Sequence, residues 1–211
     1  MRAPSLDLAV IGNSSIAALV DREGTIVWSC WPQIDGDPVF CSLLDGDDPD
    51  AGFFSIGFEG EAATFRQSYM RNTAIVRTEV EAASGACFAI TDFVPRFRQH
   101  ERVFRPPMIV RRVEPMRGLC RIRVRMRPRM GYGQHRATPL TGSNHIRYLT
   151  PVGALRLSTD APVSYIASES AFVLSRPLTL IVHPDETLAD SIPRVGREFH
   201  DQSAGTLTIA T

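Results

Sequence analysis

Residues 11–45 of the chain read IGNSSIAALVDREGTIVWSCWPQIDGDPVFCSLLD. Two short apolar runs flank a tight turn at residues 21–24, a pattern that is typical of a β-hairpin. Trp31 comes directly before Pro32, and a residue in that position favours extended backbone. We therefore expect the second strand of this hairpin to continue into an acidic loop, which Phe40 closes.

Period-two alternation of apolar and polar residues continues through most of the chain. Residues 121–127 place three apolar side chains on one face and four arginines on the other, and residues 73–81 alternate in the same way. Shorter runs of this kind cover residues 53–58, 64–70, 87–93, 108–113, 146–149, 154–157, 163–167, 171–174 and 178–182. Many short strands separated by turn residues predict an all-β fold, a large antiparallel sandwich.

Two segments are predicted to be helical. Residues 39–44 have room for one or two turns after Pro38. Near the C-terminus, four apolar residues are spaced four, three and four apart, which forms one helical stripe: Leu188, Ile192, Val195 and Phe199. Ser191 is the expected cap, and Pro193 falls in the first turn, where a missing N–H costs little.

Composition limits the class of protein. The chain has 211 residues and a formal net charge of zero, so we expect neither nucleic acid nor an anionic membrane as a partner. The N-terminus lacks the apolar stretch of a signal peptide, and no run approaches the ~20 apolar residues of a membrane span. A cytoplasmic protein is therefore expected. The four cysteines have no CxxC spacing and are expected to be buried free thiols.

A series of short motifs, together with residues 11–45, resembles one known family. They are, in chain order, YMRNTAIVRT at 69–78, TDFVP at 91–95, VRRVE at 110–114, RPRMGYG at 127–133 and HPDETL at 183–188. Each motif alone is weak, but their order is specific. The chain resembles the N-terminal domain of bacterial family-fifteen glycoside hydrolases, the glucoamylase and trehalase-like proteins. It departs from them at Asn13, where many members carry Asp.

The resemblance implies a β-supersandwich that packs against a catalytic α/α barrel, either in the same chain or in a separate one. Residues 1–183 would form the sandwich, 184–202 the linker helix and 203–211 an atypical tail. Both catalytic glutamates of the family lie in the barrel, which we expect to be absent from this chain. No catalytic residue, cofactor or metal ligand is therefore assigned. The implied function is to support a hydrolase that acts on α-glucosides such as trehalose or maltodextrin.

The loop at residues 31–40 is the best candidate for a substrate-cleft or interface role. Indole faces stack on sugars and carboxylates accept hydrogen bonds from sugar hydroxyls, which points to Trp31, Pro32, Asp35, Asp37 and Phe40. The competing interpretation is that the aromatic residues belong to the core and the aspartates stabilise turns.

Two further candidates lie in the family-like motifs. They are Asn72 and Tyr132, and Tyr132 is flanked by glycines that predict a strand-end bend. A carbohydrate is a second expected partner beside the barrel.

Other patterns have simpler interpretations. The acidic residues 45–50 resemble part of a calcium loop but lack its final glutamate, which favours a solvated turn. The arginines of residues 121–127 are interpreted as a solvated or salt-bridged face, with Glu79 and Glu81 as candidate partners. Three other function classes stay open. They are a stand-alone carbohydrate-binding module, a mutarotase-like enzyme in which His135 or His145 would meet a carboxylate, and a scaffold protein that only docks to a barrel partner.

Overall fold

The computed structural model describes residues 6–45, 52–99, 101–188 and 190–206. The first ten strands are β1 (Ala9–Gly12), β2 (Ala17–Val20), β3 (Ile26–Trp31), β4 (Asp37–Phe40), β5 (Phe53–Phe58), β6 (Ala63–Tyr69), β7 (Val76–Ala82), β8 (Cys87–Phe93), β9 (Phe97–Gln99) and β10 (Arg102–Phe104). The remaining strands are β11 (Ile109–Arg117), β12 (Arg121–Arg127), β13 (Arg129–Met130), β14 (His135–Arg136), β15 (Thr138–Thr141), β16 (His145–Thr150), β17 (Gly153–Thr159), β18 (Phe172–Val173) and β19 (Leu178–Pro184). The helices are α1 (Ser42–Asp45), α2 (Val163–Ala167) and α3 (Ile192–Thr206).

The strands form two large antiparallel sheets and two short ribbons. A seven-stranded sheet has the order β1-β2-β3-β5-β12-β18, with β4 paired to β3. An eight-stranded sheet has the order β15-β16-β17-β19-β11-β8-β7-β6, and the ribbons pair β9 with β10 and β13 with β14. The predicted all-β antiparallel sandwich is confirmed, and the described residues contain no α/α barrel.

The two sheets bury one common core between them. Phe54 and Val124 of the seven-stranded sheet lie in the same buried cluster as Phe88, Leu157 and Leu180 of the eight-stranded sheet. Successive side chains of a strand point to opposite faces, so the alternation in the sequence directs every second residue into this interlayer core. The alternating segments therefore became strands because one face of each had a second sheet to pack against.

The C-terminal helix covers the outer face of the eight-stranded sheet. Ile192 and Val195 of α3 lie in a second buried cluster with Phe93, Val110 and Ile181, which are on the face opposite to the interlayer core. Ile192, Val195 and Phe199 of the predicted stripe lie in α3 with Pro193 in its first turn, whereas Leu188, the first residue of the stripe, precedes the helix. The main-chain carbonyl of Ser191, the predicted cap, accepts hydrogen bonds of 3.0 Å from the N–H groups of Arg194 and Val195.

The bounds of this helix differ from the predicted range of 184–202. Strand β19 continues to Pro184 because it pairs there with β17, and the helix begins only at Ile192. It then extends through Ser203, which is buried and accepts a 3.2 Å hydrogen bond from the Arg96 N–H. A Cβ at Gly196 would lie 2.6 Å from a side-chain carbon of Thr179, so this glycine permits the close approach of α3 to β19. The division into sandwich, linker and tail stays a prediction.

One predicted strand is a helix. Residues 163–167, taken above as a strand, form α2, with Val163 and Ile166 buried. These two residues are three apart, so a helical turn directs both of them inward, whereas a strand would direct them to opposite faces. The predicted helix at residues 39–44 is only partly correct, since β4 continues to Phe40 and α1 begins at Ser42.

The arginine face of β12 is salt-bridged as predicted, but not by the predicted partners. Glu79 and Glu81 lie on β7, in the other sheet, and therefore cannot pair with β12 across a ladder. Arg121 and Arg123 instead contact Glu59 at 2.7 and 2.6 Å. The partners were misidentified because alternation shows that a strand has a charged face but does not show which strand lies beside it.

Candidate functional site

Two of the segments that the sequence singled out meet at one end of the sandwich. The side-chain carboxylate of Asp37, at the start of β4, accepts hydrogen bonds from the main-chain N–H groups of Gly131 and Tyr132, the latter at 2.6 Å. These residues are more than ninety positions apart in the chain. Asp37 therefore fastens the turn between β13 and β14 to the acidic loop.

The turn that Asp37 holds has an unusual backbone. Gly131, Tyr132 and Gly133 have φ angles of 64°, 53° and 83°, so three consecutive residues are left-handed. Glycine adopts this conformation readily, but for tyrosine it is uncommon. The side chain of Tyr132 is 77% exposed. The surrounding hydrogen bonds thus hold a solvent-facing aromatic residue in a disfavoured backbone conformation. Strained backbone of this kind is frequent at binding sites.

The aromatic residues of the acidic loop are mostly interior. Trp31 is 8% exposed and Phe40 is fully buried, and both belong to the interlayer core. The Phe40 ring lies 6.3 Å from the Phe54 ring. The loop tip exposes Pro32 and Asp35 instead. The interpretation of these rings as core aromatics agrees with this placement, and neither ring offers a free face for a sugar.

Asn72 lies in a different environment. It is exposed, with φ of 57°, in the turn that connects β6 to β7. Its neighbours Met70 and Ile75 pack in the cluster under α3. The structure therefore groups Asn72 with the helix rather than with the contact between Asp37 and Tyr132.

The family-like motifs are joined by buried polar contacts that the sequence did not reveal. Arg111 and Asp92 are directly opposite on β11 and β8, and both side chains are fully buried. Arg111 donates to the two Asp92 carboxylate oxygens at 2.8 and 3.0 Å. It also donates to the carbonyls of Phe54, at 2.7 Å, and Gly24, which belong to the opposite sheet and its hairpin. One guanidinium thus links both layers.

The ionisation of the Asp92 carboxyl is affected by its surroundings. Burial raises the pKa of the Asp92 carboxyl, and the adjacent Arg111 guanidinium opposes that rise. A signal was present in the sequence, because Arg111 occupies an inward position of an alternating strand between Ile109 and Val113. An arginine at such a position requires a buried partner.

Asn13 is a second buried polar link. Its amide nitrogen donates to the carbonyls of Pro95 and Pro106, at 2.9 and 2.8 Å, and its amide oxygen accepts from the N–H of Ser15 at 2.9 Å. Only an amide can both donate twice and accept in this position, because a carboxylate has no N–H. The departure from Asp at residue 13 therefore matches the contacts that the side chain makes.

A buried serine and histidine lie on the helix-covered side of the eight-stranded sheet. The Ser158 hydroxyl is 2.8 Å from His183 Nε2, and His183 is 1% exposed. Burial, reinforced by the nearby Arg156 charge, lowers the pKa of His183 to about 4. The adjacent Asp185 carboxylate is bound by Arg147, which lowers the pKa of that carboxyl. The serine is inaccessible and the carboxylate is occupied, so this cluster has a structural character.

The same cluster bears on the mutarotase-like alternative. His145 lies near Asp185, Arg147 and Arg156, and its pKa is lowered by burial and by the two arginines. A carboxylate that already binds an arginine is a poor proton acceptor for a sugar. This arrangement does not favour His145 as the catalytic histidine of a mutarotase-like enzyme.

All four cysteines lie in the described ranges and none forms a disulfide there; Cys41 and Cys120 are buried, and Cys30 and Cys87 are partly buried. Over the described ranges, no three His, Cys, Asp or Glu side chains are grouped so as to hold a metal ion. The acidic residues 46–50 lie outside the described residues. None of the helices seen in the described parts of the chain has the length and apolar character needed to span a membrane.

The chain is similar in sequence to known proteins. The sequence profile of a family described as "Trehalase-like, N-terminal" matches residues 2–168. The trehalase of Thermoplasma volcanium is 26% identical over 154 residues, which cover 72% of this chain and 24% of that protein. Trehalase 1 of Sulfolobus acidocaldarius is 30% identical over 161 residues, covering 75% of this chain and 26% of that protein. The chain spans about a quarter of the length of these curated relatives.

Proposed function

The chain belongs to the family of trehalase-like N-terminal domains, and from this membership we propose that it is the non-catalytic N-terminal domain of a glycoside hydrolase acting on α-glucosides. The observation that carries the proposal is the family match over residues 2–168, combined with relatives that are about four times longer than the matched segment. The catalytic carboxylates would belong to a separate α/α-barrel domain, against which this sandwich packs. Both relatives are named trehalases, so trehalose is the first substrate to test, ahead of maltodextrins.

The end of the sandwich around Asp37 is the surface that we assign to contact with the catalytic domain. Exposed apolar side chains extend from three neighbouring turns there: Ile34, Tyr132 and Val152. The turns are tied together, because Asp37 holds residues 131–132 and the Thr150 hydroxyl lies 3.0 Å from the Met130 sulfur. Exposed apolar groups on rigid turns are suited to a protein interface, since little conformational entropy is lost on binding.

We assign a second role at the rim of the cleft, on the premise that the hydrolase is an inverting glycosidase. Such an enzyme sets its two carboxylates roughly 6.5–9.5 Å apart and must admit one water between them. A neighbouring domain assists by shaping the entrance and excluding further water rather than by supplying an acid or a base. The exposed phenol of Tyr132, on the turn whose backbone Asp37 holds, is the group that we assign to this rim.

The first experiment measures trehalose and maltose hydrolysis by the purified 211-residue chain. We expect no glucose release above a blank without protein. Glucose release by the repurified 211-residue chain alone would contradict a non-catalytic role. Calorimetric titration of the same material with trehalose tests the alternative of a carbohydrate-binding module, and saturable binding by the chain alone would favour that alternative.

The second experiment tests the packing role. The matching N-terminal segment of the Sulfolobus acidocaldarius trehalase is deleted, or replaced by the present chain, and trehalose hydrolysis and thermal midpoint are measured for both proteins. We expect the chimera to regain activity and thermal stability that the deleted protein lacks. A folded chimera that performs no better than the deleted protein would argue against the proposal.

The rim assignment is tested within an active chimera. Tyr132→Ala should raise KM or lower kcat, whereas Leu140→Ala, which removes an exposed apolar side chain of β15, is the matched control. Equal kinetics in the two variants would show that Tyr132 does not act at the cleft, while leaving the packing role to be judged from the chimera itself.

A further inference from the structure

Strand β5 is paired along its whole length on one side only. Residues 53–58 lie opposite residues 122–127 of β12, whereas β3 pairs with β5 at a single position, where Ile26 is opposite Phe54. A gap therefore opens between residues 55–58 and the turn that connects β2 to β3, and we call this gap the β5 slot. The Arg111 guanidinium closes one end of the slot, because it donates to the carbonyls of Phe54 and Gly24 on its two sides.

The main-chain groups of every second residue of β5 point into the slot. The Phe54 carbonyl accepts from Arg111, and the Glu59 N–H donates in the opposite direction, to a β12 carbonyl at 3.1 Å. Main-chain groups of successive residues in a strand point to opposite edges, so the N–H and C=O groups of Ile56 and Phe58 point away from β12. Within the described ranges, no second strand lies against residues 55–58 on that side. An open strand edge of this kind is a template for another strand.

The inner wall of the β5 slot is apolar. A cavity of about 180 Å³ occupies the slot, and its inner residues are Ile56 and Phe58 of β5 and Phe65 of β6, the edge strand of the other sheet. Phe65 is 38% exposed, and its strand partner Val80 lies in the interlayer core, so the ring borders that core at an open side of the sandwich. Pockets for drug-sized ligands are roughly 300–1,000 Å³, and this smaller cavity suits one apolar side chain.

The outer wall of the slot is polar and includes two arginines of β12. Ser55 and Gly57 are directly opposite Arg125 and Arg123, and a Cβ at Gly57 would meet nothing within 4 Å. Because these two β5 residues are small, both arginine side chains reach the cavity across β5. The opposite rim is formed by two residues of the turn between β2 and β3: Glu23 and Thr25.

The charges along the outer wall favour an acidic ligand. Glu59 contacts Arg121 and Arg123 at 2.7 and 2.6 Å, so one carboxylate serves two guanidinium groups. The Nε of Arg123 is buried and has no hydrogen-bond partner among the described residues. Arg125 lies 5.4 Å from the centroid of a phenylalanine ring of β5, a contact that orients the guanidinium without neutralising it. These three arginines against Glu59 and Glu23 leave a formal charge of +1, which prefers a carboxylate to an ammonium group.

We propose that the β5 slot binds an extended acidic peptide segment of a separate protein, which adds to β5 as an antiparallel strand. Strand addition to an open sheet edge is a common mode of peptide recognition. Directly opposite residues of antiparallel strands have side chains on the same face. The peptide residue that bonds Ile56 or Phe58 therefore directs its side chain inward, against Phe65, and is apolar. Its neighbours direct their side chains outward, toward Arg123 and Arg125, and are acidic.

The slot is distinct from the surface that we assign to contact with the catalytic domain. It lies beside the first residue of β3, whereas Asp37 is opposite Trp31, the last residue of that strand. A strand of this length spans about 17–20 Å, so a different partner can occupy each end. Peptide binding at the slot goes beyond the function proposed above and does not depend on whether the chain supports a catalytic domain.

The test measures the fluorescence anisotropy of labelled peptides titrated with the 211-residue chain at constant ionic strength. The probe has the sequence Glu-Leu-Glu-Val-Glu with both ends blocked, and we expect it to bind saturably. The same peptide with lysine in place of each glutamate should bind at least about tenfold more weakly, because Arg123 and Arg125 repel it. The absence of saturable binding, or equal binding of the two peptides, overturns the proposal.

Two N-methylated forms of the acidic probe test the main-chain contacts. Methylation of the leucine and valine nitrogens removes the N–H groups that would face β5, whereas methylation of the glutamate nitrogens removes N–H groups at the other edge of the peptide. We expect the first change to weaken binding by about tenfold or more and the second to leave it close to that of the parent peptide. An equal or reversed ranking of the two forms overturns strand addition to β5.

Variants of the chain assign the binding to the slot. Phe65→Ala should weaken binding of the acidic probe by about tenfold, since it removes an apolar wall. Arg125→Gln should weaken it by about fivefold or more, since it removes a charge-assisted contact. Arg66→Gln is the matched control, because Arg66 is exposed and points to the face of β6 opposite to Phe65. An equal loss in the control would show nonspecific attraction and overturn the site.

Folding and association of the chain are checked separately. Circular dichroism and the thermal midpoint of each variant are compared with those of the wild type, and if Phe65→Ala unfolds, Arg125→Gln and the N-methylated probes still decide the outcome. Sedimentation velocity of the chain alone identifies a competing occupant. A monomer that binds the acidic probe supports the proposal. A dimer that the probe dissociates would identify a second copy of the chain in the slot and overturn the assignment to a separate protein.

Discussion

Two of the arginine–carboxylate pairs on strand β11 lie in very different surroundings. Arg111 pairs with Asp92 between the two sheets, where both side chains are fully buried. Six residues later, Arg117 contacts Glu81 at 2.5 Å, but its side chain is 64% exposed and that of Glu81 is 49% exposed. The chemical groups are the same, so the comparison isolates what burial does to an ion pair.

The buried pair is integrated into the fold and the exposed pair is not. Arg111 also donates to carbonyls of Phe54 and Gly24, so three separate parts of the chain depend on one side chain. Water competes for Arg117 and Glu81 and screens their attraction, as it does for most surface pairs. Position in the layers, rather than the distance between charges, therefore determines which polar contact the sandwich requires.

The largest expected effect is from breaking the interior pair. Asp92→Ala leaves the Arg111 charge buried without its carboxylate and should lower the free energy of unfolding by about 3–5 kcal/mol. Urea denaturation followed by tryptophan fluorescence and circular dichroism measures this change. The double variant Asp92→Leu/Arg111→Met removes both charges and should recover much of the loss. A small effect of Asp92→Ala would show that the pair does not join the layers.

Acid should weaken the fold through the buried His183. Its pKa is lowered to about 4, below the ordinary value of 6.5 in the unfolded chain. Between these values the unfolded chain binds the additional proton, so stability is complete above about pH 7 and declines as the pH falls through 6.5 toward 4. The expected loss is about 2 kcal/mol between pH 7.5 and 5, and roughly 3 kcal/mol by pH 4.

The measurement is a series of urea denaturation curves at several pH values for the wild type and His183→Gln. The glutamine removes the titrating group and can still bond to Ser158. We expect the variant to be less stable at pH 7.5 but to depend less on pH down to pH 5. Parallel curves for both proteins would assign the acid sensitivity to other groups, including His145 and Asp185, which lie near His183.

The third effect concerns the amide of Asn13. Asn13→Asp places a carboxylate against the carbonyls of Pro95 and Pro106, which now receive hydrogen bonds. Loss of these donors should cost about 1–3 kcal/mol. Asn72→Asp is the control, because it makes the same chemical change at an exposed asparagine. The loss should shrink at a pH where the new carboxyl is protonated, and equal effects at both positions would contradict a specific role for Asn13.

Much of the fold was predictable because alternation reports which face of a strand is buried. Residues 53–58, 87–93 and 121–127 became β5, β8 and β12 with the predicted bounds. Residues 163–167 were misassigned because five residues with two apolar positions fit either a strand or one helical turn. Alternation also does not show which strand lies beside another, and for that reason the predicted partners of the β12 arginines were wrong.

The candidate site was predictable only in its parts. The acidic loop and Tyr132 were each identified from the sequence, but the Asp37 contact joins them across more than ninety residues. Such a contact depends on how β3, β4, β12 and β13 come together, which no local pattern encodes. Arg111 was recognisable in principle as a charge at an inward position. Its partner could not be identified, because Asp92 lies on β8 and only the sheet order shows that β8 is adjacent to β11.

The smallest effect is expected at the exposed pair of β11. Glu81→Gln removes the carboxylate that Arg117 contacts, but Arg117 keeps a 2.9 Å hydrogen bond to the carbonyl of Gly85. The free energy of unfolding should fall by about 0–1 kcal/mol, and 1 M salt should abolish even that difference. Urea denaturation of Asp92→Ala and Glu81→Gln at low and high salt measures the loss in free energy of unfolding for both variants under the same conditions. If Glu81→Gln were as damaging as Asp92→Ala, or if the Asp92 effect also vanished in salt, burial would not be what distinguishes the two pairs.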